Sequence, residues 1–285
     1  LLQESTVTDD GFIVDDTGKI VNMDDLGMDN LKPQLEKMLS GYQGTWSVYV
    51  KDLNEEKEIL INDTPLYSAS LIKAFVMAKT YEDMEQVKAD EAKKLNTADT
   101  KTVDVKLNDL LWNMITVSDN DSANELVRKL GGGDFQTGAA IVNEFCQERN
   151  YTSTHLGREF LASDPTDDNY TSASDCCRLL SDIYNSSLVN AEASAEMLAL
   201  LTSQTKTAKI PAGVPSDTAT AHKTGELADS GKLGVVENDI AIVFDKEHPY
   251  VLCVLSNNIQ NNSSAQNTIK KISADVYTYM TTKQK

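Results

Sequence analysis

Ser70-Leu71-Ile72-Lys73-Ala74-Phe75-Val76-Met77-Ala78 is the stretch at which the chain changes period. From Ser70 to Met84 the pattern is helical, with Leu71, Phe75 and Ala78 on one stripe and Ile72 and Val76 beside it. Just upstream it is a strand pattern. Residues 45–51 alternate, with Trp46, Val48 and Val50 on one face; a turn around Asn54 leads to a second strand at 58–61, giving an antiparallel hairpin. Ahead of the hairpin, Leu31, Leu35, Met38 and Leu39 mark a helix with Pro33 in its first turn. Downstream, residues 88–104 are charged and low in apolar side chains, and they read as surface loop with a short helix. Helices are predicted at 107–115, 121–130, 135–147, 173–184 and 192–201, the second stopped by Gly131, Gly132 and Gly133. A Thr/Pro-rich connector, 202–216, ends this block. Strands return at 218–224, 240–244 and 250–256, and Ile269, Ile272, Val276 and Met280 mark a closing helix.

This order predicts an α+β fold. Strands from the N- and C-terminal parts build one antiparallel sheet flanked by helices, and the middle of the chain forms an all-helical lobe. The expected division is an acidic leader over 1–30, an α/β lobe from 31–69 and 217–285, and a helical lobe over 70–216, with a cleft between the lobes.

Composition narrows the function. The chain has 285 residues, with 26 Lys and Arg against 44 Asp and Glu, a formal charge of −18. That balance argues against nucleic acid, whose binding neutralises phosphates, and against anionic membrane surfaces. No apolar run approaches the roughly 20 residues of a membrane span. A small molecule or peptide is the expected partner, bound by a monomer. In the leader, Asp9, Asp10, Asp15, Asp16, Asp24, Asp25 and Asp29 face only Lys19. It reads as a solvated stalk behind a removed export signal or lipid anchor, or as a cut within a longer chain. Cys146, Cys176, Cys177 and Cys253 have no metal-ligand spacing; Cys146 bridges one of the adjacent pair only if their helices pack. His155, His222 and His248 are scattered, and His222 should face away from Lys223 on its strand. No metal site and no cofactor is implied.

Three short motifs carry chemistry. Ser70-x-x-Lys73 places a hydroxyl and an amine on one helical face, about 5–6 Å apart at Cβ. A second match, Ser203-Gln204-Thr205-Lys206, falls in the connector and has no helical stripe. Ser118-Asp119-Asn120 sits in a break between two helices and reads equally as a cap cluster. Lys223-Thr224-Gly225 ends a strand.

Together and in this order, the three resemble the motif set of class A β-lactamases and penicillin-binding active-site serine hydrolases. The resemblance runs from about Leu31 to Met280, with echoes at Asn124, at Leu130-Gly131-Gly132 and at Asn238-Asp239-Ile240. It implies Ser70 as nucleophile, Lys73 as the group that takes its proton, and Lys223 as a second cation that lowers the Lys73 pKa. It further implies that Ser118 relays the proton to the leaving nitrogen and that Asn120 binds Lys73 and the substrate amide. Thr224 and Lys223 would hold the substrate carboxylate, Gly225 beside them belongs to the substrate-binding set, and the N–H groups of Ser70 and Glu226 would form the oxyanion hole.

The sequence departs from the family in three places. The loop that usually supplies a deacylating glutamate reads Leu156-Gly157-Arg158-Glu159-Phe160-Leu161, which puts Phe160 in the glutamate position and Glu159 one residue early. Glu159, Asp164, Asp167 and Asp168 are the carboxylates available, with Glu159 the candidate base. No arginine follows Arg178, where relatives use one to grip the substrate; Lys232 is the candidate substitute. Glu226 is an acid at the mouth of a site that should receive an anion, and its side chain is expected to point to solvent. The expected activity is opening of β-lactams through a Ser70 acyl-enzyme with impaired deacylation. The alternatives are a D,D-peptidase-like or penicillin-binding enzyme acting on D-Ala-D-Ala peptides, or a sensor domain that binds β-lactams without turnover. Any of these would work in a secreted or extracytoplasmic setting.

Overall fold

The computed structural model describes residues 6–7, 13–14, 28–163, 166–228 and 234–282. Within the acidic leader, Thr6–Val7 (β1) pairs antiparallel with Ile13–Val14 (β2); the Asp9–Asp10 and Asp15–Asp25 positions of that stretch lie outside the described residues. The first helix, α1 (Met28–Leu39), begins a turn earlier than expected, so Pro33 lies inside it rather than in its first turn.

The predicted hairpin is β3 (Thr45–Asp52) and β4 (Glu58–Ile61). It joins β7 (Ala219–Leu227), β8 (Val235–Phe244) and β9 (Tyr250–Ile259) in one five-stranded antiparallel sheet of order β4-β3-β9-β8-β7. The alternation along each strand sorts its side chains to two faces. Trp46, Val48, Val50, Ala241, Val243, Leu252 and Val254 meet Leu31 and Leu35 of α1 and Ile269, Ile272 and Val276 of the closing helix α9 (Asn262–Thr282). Tyr49, Ile240, Ile242, Val251 and Cys253 face the other way, into a core shared with the central helices.

Those helices are α2 (Lys73–Glu82), α3 (Met84–Leu95), α4 (Thr100–Thr116), α5 (Asn120–Leu130), α6 (Phe135–Glu148), α7 (Ala173–Tyr184) and α8 (Ala191–Thr202). One expectation is corrected here: residues 88–104, read as surface loop with a short helix, are mostly helical, with 88–95 in α3 and 100–104 opening α4. The reason is that α3 buries only Val87 and Glu91, so no apolar stripe announces it. Glu91 instead docks the helix through Lys106, at 2.5 Å, and Lys129. A two-residue ladder, β5 (Leu66–Tyr67) with β6 (Tyr170–Thr171), is too short to leave a period and brings Tyr67 and Tyr170 into a stack at 5.1 Å. All four cysteines are buried free thiols. Among the described residues, no helix is long and apolar enough to cross a membrane.

Candidate active site

Ser70 stands on a 3-10 turn, Ala69–Ile72, that runs directly into α2. Asparagines hold this turn, and no side-chain cap does. Asn238 Nδ2 on β8 donates to the carbonyls of Tyr67 and Ser68, at 3.0 and 3.2 Å, while its Oδ1 accepts from Ser256 N on β9. The Tyr67 N–H donates to Asn257 Oδ1, and the Ser68 N–H to the Asn169 carbonyl, both at 2.9 Å. Ala69 is left-handed, with φ of 44°; such strain persists only where the surroundings over-determine it.

The β7 strand passes this turn so closely that a Cβ on Gly225 would lie 2.7 Å from Ser68 O and 3.0 Å from Ser70 N. Both contacts are backbone and cannot swing aside. Gly225→Ala is therefore expected to cost about 1–3 kcal/mol by overpacking and to displace the Ser70 N–H. A melting curve and an acylation rate would check this; an unchanged rate would show that the close approach has no part in the chemistry.

Lys73, the first residue of α2, is fully buried. Its ammonium donates to the Ser118 carbonyl at 2.7 Å, to Ser118 Oγ at 3.3 Å and to Asn120 Oδ1 at 2.7 Å. These three bonds use all three of its donors; none goes to Ser70. Lys223, also fully buried, donates to Ser118 Oγ at 3.0 Å and to the Thr224 carbonyl at 2.8 Å. Ser118 Oγ thus lies between two amines. Its residue is also left-handed, with φ of 60°. Both readings of Ser118-Asp119-Asn120 hold at once: Asp119 caps α5 by accepting from Ser122 N at 2.7 Å, while its two neighbours turn to Lys73.

Burial pushes the Lys73 pKa down to about 7, with Lys206 adding to the fall and Asp119 and Glu226 opposing it. Burial likewise takes Lys223 well below the ordinary lysine value, helped by the charge on Lys73. The sequence reading credited Lys223 with lowering the Lys73 pKa; burial is the main cause, and the cation that adds to it is Lys206.

The loop after α6 does not bring a described carboxylate to Lys73. Glu159, the candidate base, is held by Arg128 at 2.6 Å; Asp167 pairs with His155 at 2.5 Å and Asp168 with Arg158 at 2.8 Å. Asp164 lies outside the described residues, as does Lys232. What faces Lys73 is Phe160, whose ring centroid is 4.6 Å from Nζ. Asn124 on α5 fixes it there from both sides, accepting from Phe160 N at 2.9 Å and donating to Phe160 O at 3.2 Å.

Glu226 does not point freely to solvent, contrary to expectation. Its carboxylate is paired with Lys206 and, at 3.3 Å, with Lys209. Burial would raise its pKa, but Lys209, Lys206 and Lys223 outweigh that and hold it at about 2. Lys209 is itself buried and also bonds Glu237 at 2.8 Å and the Asn238 carbonyl at 2.8 Å. Beside this cluster, Thr224 Oγ1 is buried without a partner. Sequence reasoning missed Lys209 and Glu237 and set aside the second Ser-x-x-Lys. Its serine is spent on the Ala199 carbonyl at the end of α8, but its lysine reaches the site. Ion pairs between distant segments leave no spacing in the sequence.

His222 faces away from Lys223, as expected, with Nδ1 3.0 Å from Asp239 Oδ1. Among the described residues, no group of three His, Cys, Asp or Glu side chains is placed to hold a metal ion.

A serine at a strained turn, two buried amines on a second serine and a glycine strand against the turn are the parts of an acyl-transfer site. The model for the beta-lactamase enzyme family matches residues 30–280. The chain belongs to that family. Its fold is similar to that of PBP-A, with a TM-score of 0.71 and 20% identity over 88% of this chain and 96% of PBP-A. It is similar to the same extent to a leucine-to-glutamate variant of PBP-A solved as its acyl-enzyme with penicillin G. It also resembles an ancestral class A beta-lactamase, with a TM-score of 0.69 and 22% identity over 87% of this chain and 98% of the other. At these identities the likeness is one of fold. No curated protein sequence matches the chain significantly. Membership of this family supports a serine hydrolase of the β-lactamase type.

Proposed function

We propose that the chain acylates itself at Ser70 with β-lactams, or with peptides ending in D-Ala-D-Ala, and releases the acyl group slowly. The observation that carries this reading is Phe160 over Lys73, with Glu159, Asp167 and Asp168 all paired elsewhere.

In acylation, Ser70 Oγ forms a bond to the substrate carbonyl carbon while its proton passes to Lys73. A lysine with a pKa of about 7 is neutral often enough to accept it. The carbonyl oxygen takes up negative charge against the N–H groups of Ser70 and Glu226, the latter following the Gly225 that lies against Ser70 N. The C–N bond then breaks, and Ser118 Oγ hands its proton to the departing nitrogen, refilled from Lys73. Lys73 and Lys223 both donate to the Ser118 oxygen, so its own hydrogen is free to turn toward the substrate.

Deacylation needs a second base, beside the ester, to activate water. An aromatic ring cannot orient or deprotonate a water, and the Phe160 ring fills the space above Lys73 where such a base would stand. That supports a penicillin-binding enzyme over a fast hydrolase. The penicillin G acyl-enzyme of the PBP-A variant is a precedent for the intermediate in a protein of this fold. Substrates of this kind lie outside the cytoplasmic membrane, and the proposal places the chain there.

The test is intact-protein mass against time after mixing with benzylpenicillin. Ring opening loses no atoms, so the expected result is a gain of one whole drug molecule that persists after free drug is removed. An adduct that clears while the drug is consumed would replace this reading with efficient hydrolysis. No adduct would end the acyl-enzyme assignment.

A further inference from the structure

We infer that Glu226 occupies the anion seat of this site and selects for acyl donors whose terminal carboxylate is masked as an amide. The inference rests on the acyl-enzyme reading above for its Ser70 chemistry and narrows the donors: molecules with a free carboxylate, benzylpenicillin and D-Ala-D-Ala peptides among them, acylate Ser70 more slowly than their amides.

A substrate carboxylate is expected beside Thr224 and Lys223, and the structure shows what it would meet there. Among the described residues, the lysines of that wall are Lys206, Lys209 and Lys223. Glu226 already takes Lys206 with one carboxylate oxygen and Lys209 with the other. Glu237, fully buried, takes Lys209 a second time, and Asn262 Nδ2 anchors Glu237 from behind at 2.6 Å. Two cations therefore stand against two anions, and neither lysine has surplus charge for a newcomer. Lys223 is committed to Ser118 Oγ and the Thr224 carbonyl. An entering carboxylate would have to displace Glu226 from its two lysines and would then lie against it in a partly desolvated cleft, where like charges repel strongly.

An uncharged amide meets the opposite situation. Its N–H groups can donate to the Glu226 carboxylate, and its carbonyl can accept from the Thr224 hydroxyl, the one buried polar atom of the seat left without a partner. Charge and unfilled bonding capacity both favour the amide. Glu226 is thus a specificity-determining residue, reached through its position one residue beyond Gly225.

The experiment compares benzylpenicillin with benzylpenicillin amide, in which the same carboxyl group is capped as CONH2. Second-order acylation rates are read by intact mass for the native chain and for Glu226→Gln. The expected result is that the carboxylate-to-amide rate ratio rises at least tenfold in Glu226→Gln. A ratio unchanged within twofold, or a fall, would overturn the proposal. If Glu226→Gln does not fold, Glu226→Asp, which shortens the reach to Lys206 and Lys209, is read by the same ratio and should raise it in the same direction. The ratio is also measured as equilibrium binding of the two drugs in a Ser70→Ala background, which needs no acylation. Absent adducts would then count against the Ser70 chemistry, while the binding ratio still decides the role of Glu226.

Discussion

Phe160→Glu is expected to turn a persistent acyl-enzyme into a transient one. A glutamate on this backbone would hang from the position that Asn124 clamps through both Phe160 N and Phe160 O, so its carboxylate would be delivered to the face of Lys73 where the ring now lies. A positioned general base contributes about 10²- to 10⁴-fold, and steady-state consumption of benzylpenicillin should rise by about that much. The same carboxylate would also raise the Lys73 pKa, because an opposite charge favours the ammonium. The alkaline shift of the acylation profile that follows distinguishes a carboxylate beside Lys73 from one that has swung to solvent. Phe160→Gln, equal in shape and uncharged, should give neither effect. An adduct lifetime unchanged in Phe160→Glu would mean that something other than the missing base holds the ester.

Replacing Ser70 should abolish acylation and replacing Lys73 should slow it severely, for different reasons. Ser70→Ala removes the atom that bonds the carbonyl, and no adduct should form at any drug concentration. Lys73→Arg keeps a cation next to Ser118 and Asn120 but installs a group that does not deprotonate in proteins. With nothing to take the Ser70 proton, the acylation rate should fall by roughly 10²- to 10⁴-fold. In the native chain, the neutral form of Lys73 accumulates as pH rises through about 7. Acylation should therefore climb roughly tenfold per unit on the acid side of 7 and level off above it. A rate flat from acid to neutral pH would show that Lys73 is not the base.

Much of this was legible in the residues, and the exceptions share a cause. The hairpin at Thr45–Asp52 and Glu58–Ile61 shows itself by the alternation of Trp46, Val48 and Val50, which pack with α1 and α9, while Val235–Phe244 and Tyr250–Ile259 are buried on both faces and show as short apolar runs. The helix over Ala173–Tyr184 is flanked by core on most sides and falls where its apolar residues place it. By contrast, α3 docks through Glu91 and its lysines, and a charged side chain at a buried position looks like a solvated one until its partners are known. The residues proposed to acylate could be singled out because Ser70, Lys73, Ser118 and Lys223 sit in short local motifs. The surroundings that set specificity were not. Lys206, Lys209, Glu226 and Glu237 come from three separate segments and meet only through folding. Phe160 was legible as an oddity; that it covers Lys73, while Glu159 turns to Arg128, is a matter of which way two adjacent side chains leave the backbone.

The asparagines around the reactive turn also determine how this enzyme would be lost. Asn238 and Asn257 belong to the two strands at the middle of the sheet's C-terminal half, and each gives its side chain to the residues just before Ser70. The nucleophile is therefore not carried on a segment that frays by itself. The amide proton of Tyr67, bonded to the Asn257 side chain on β9, should exchange with solvent only when the sheet opens. In a denaturant titration, inactivation and loss of the sheet should coincide in one transition, with no inactive but folded state between them.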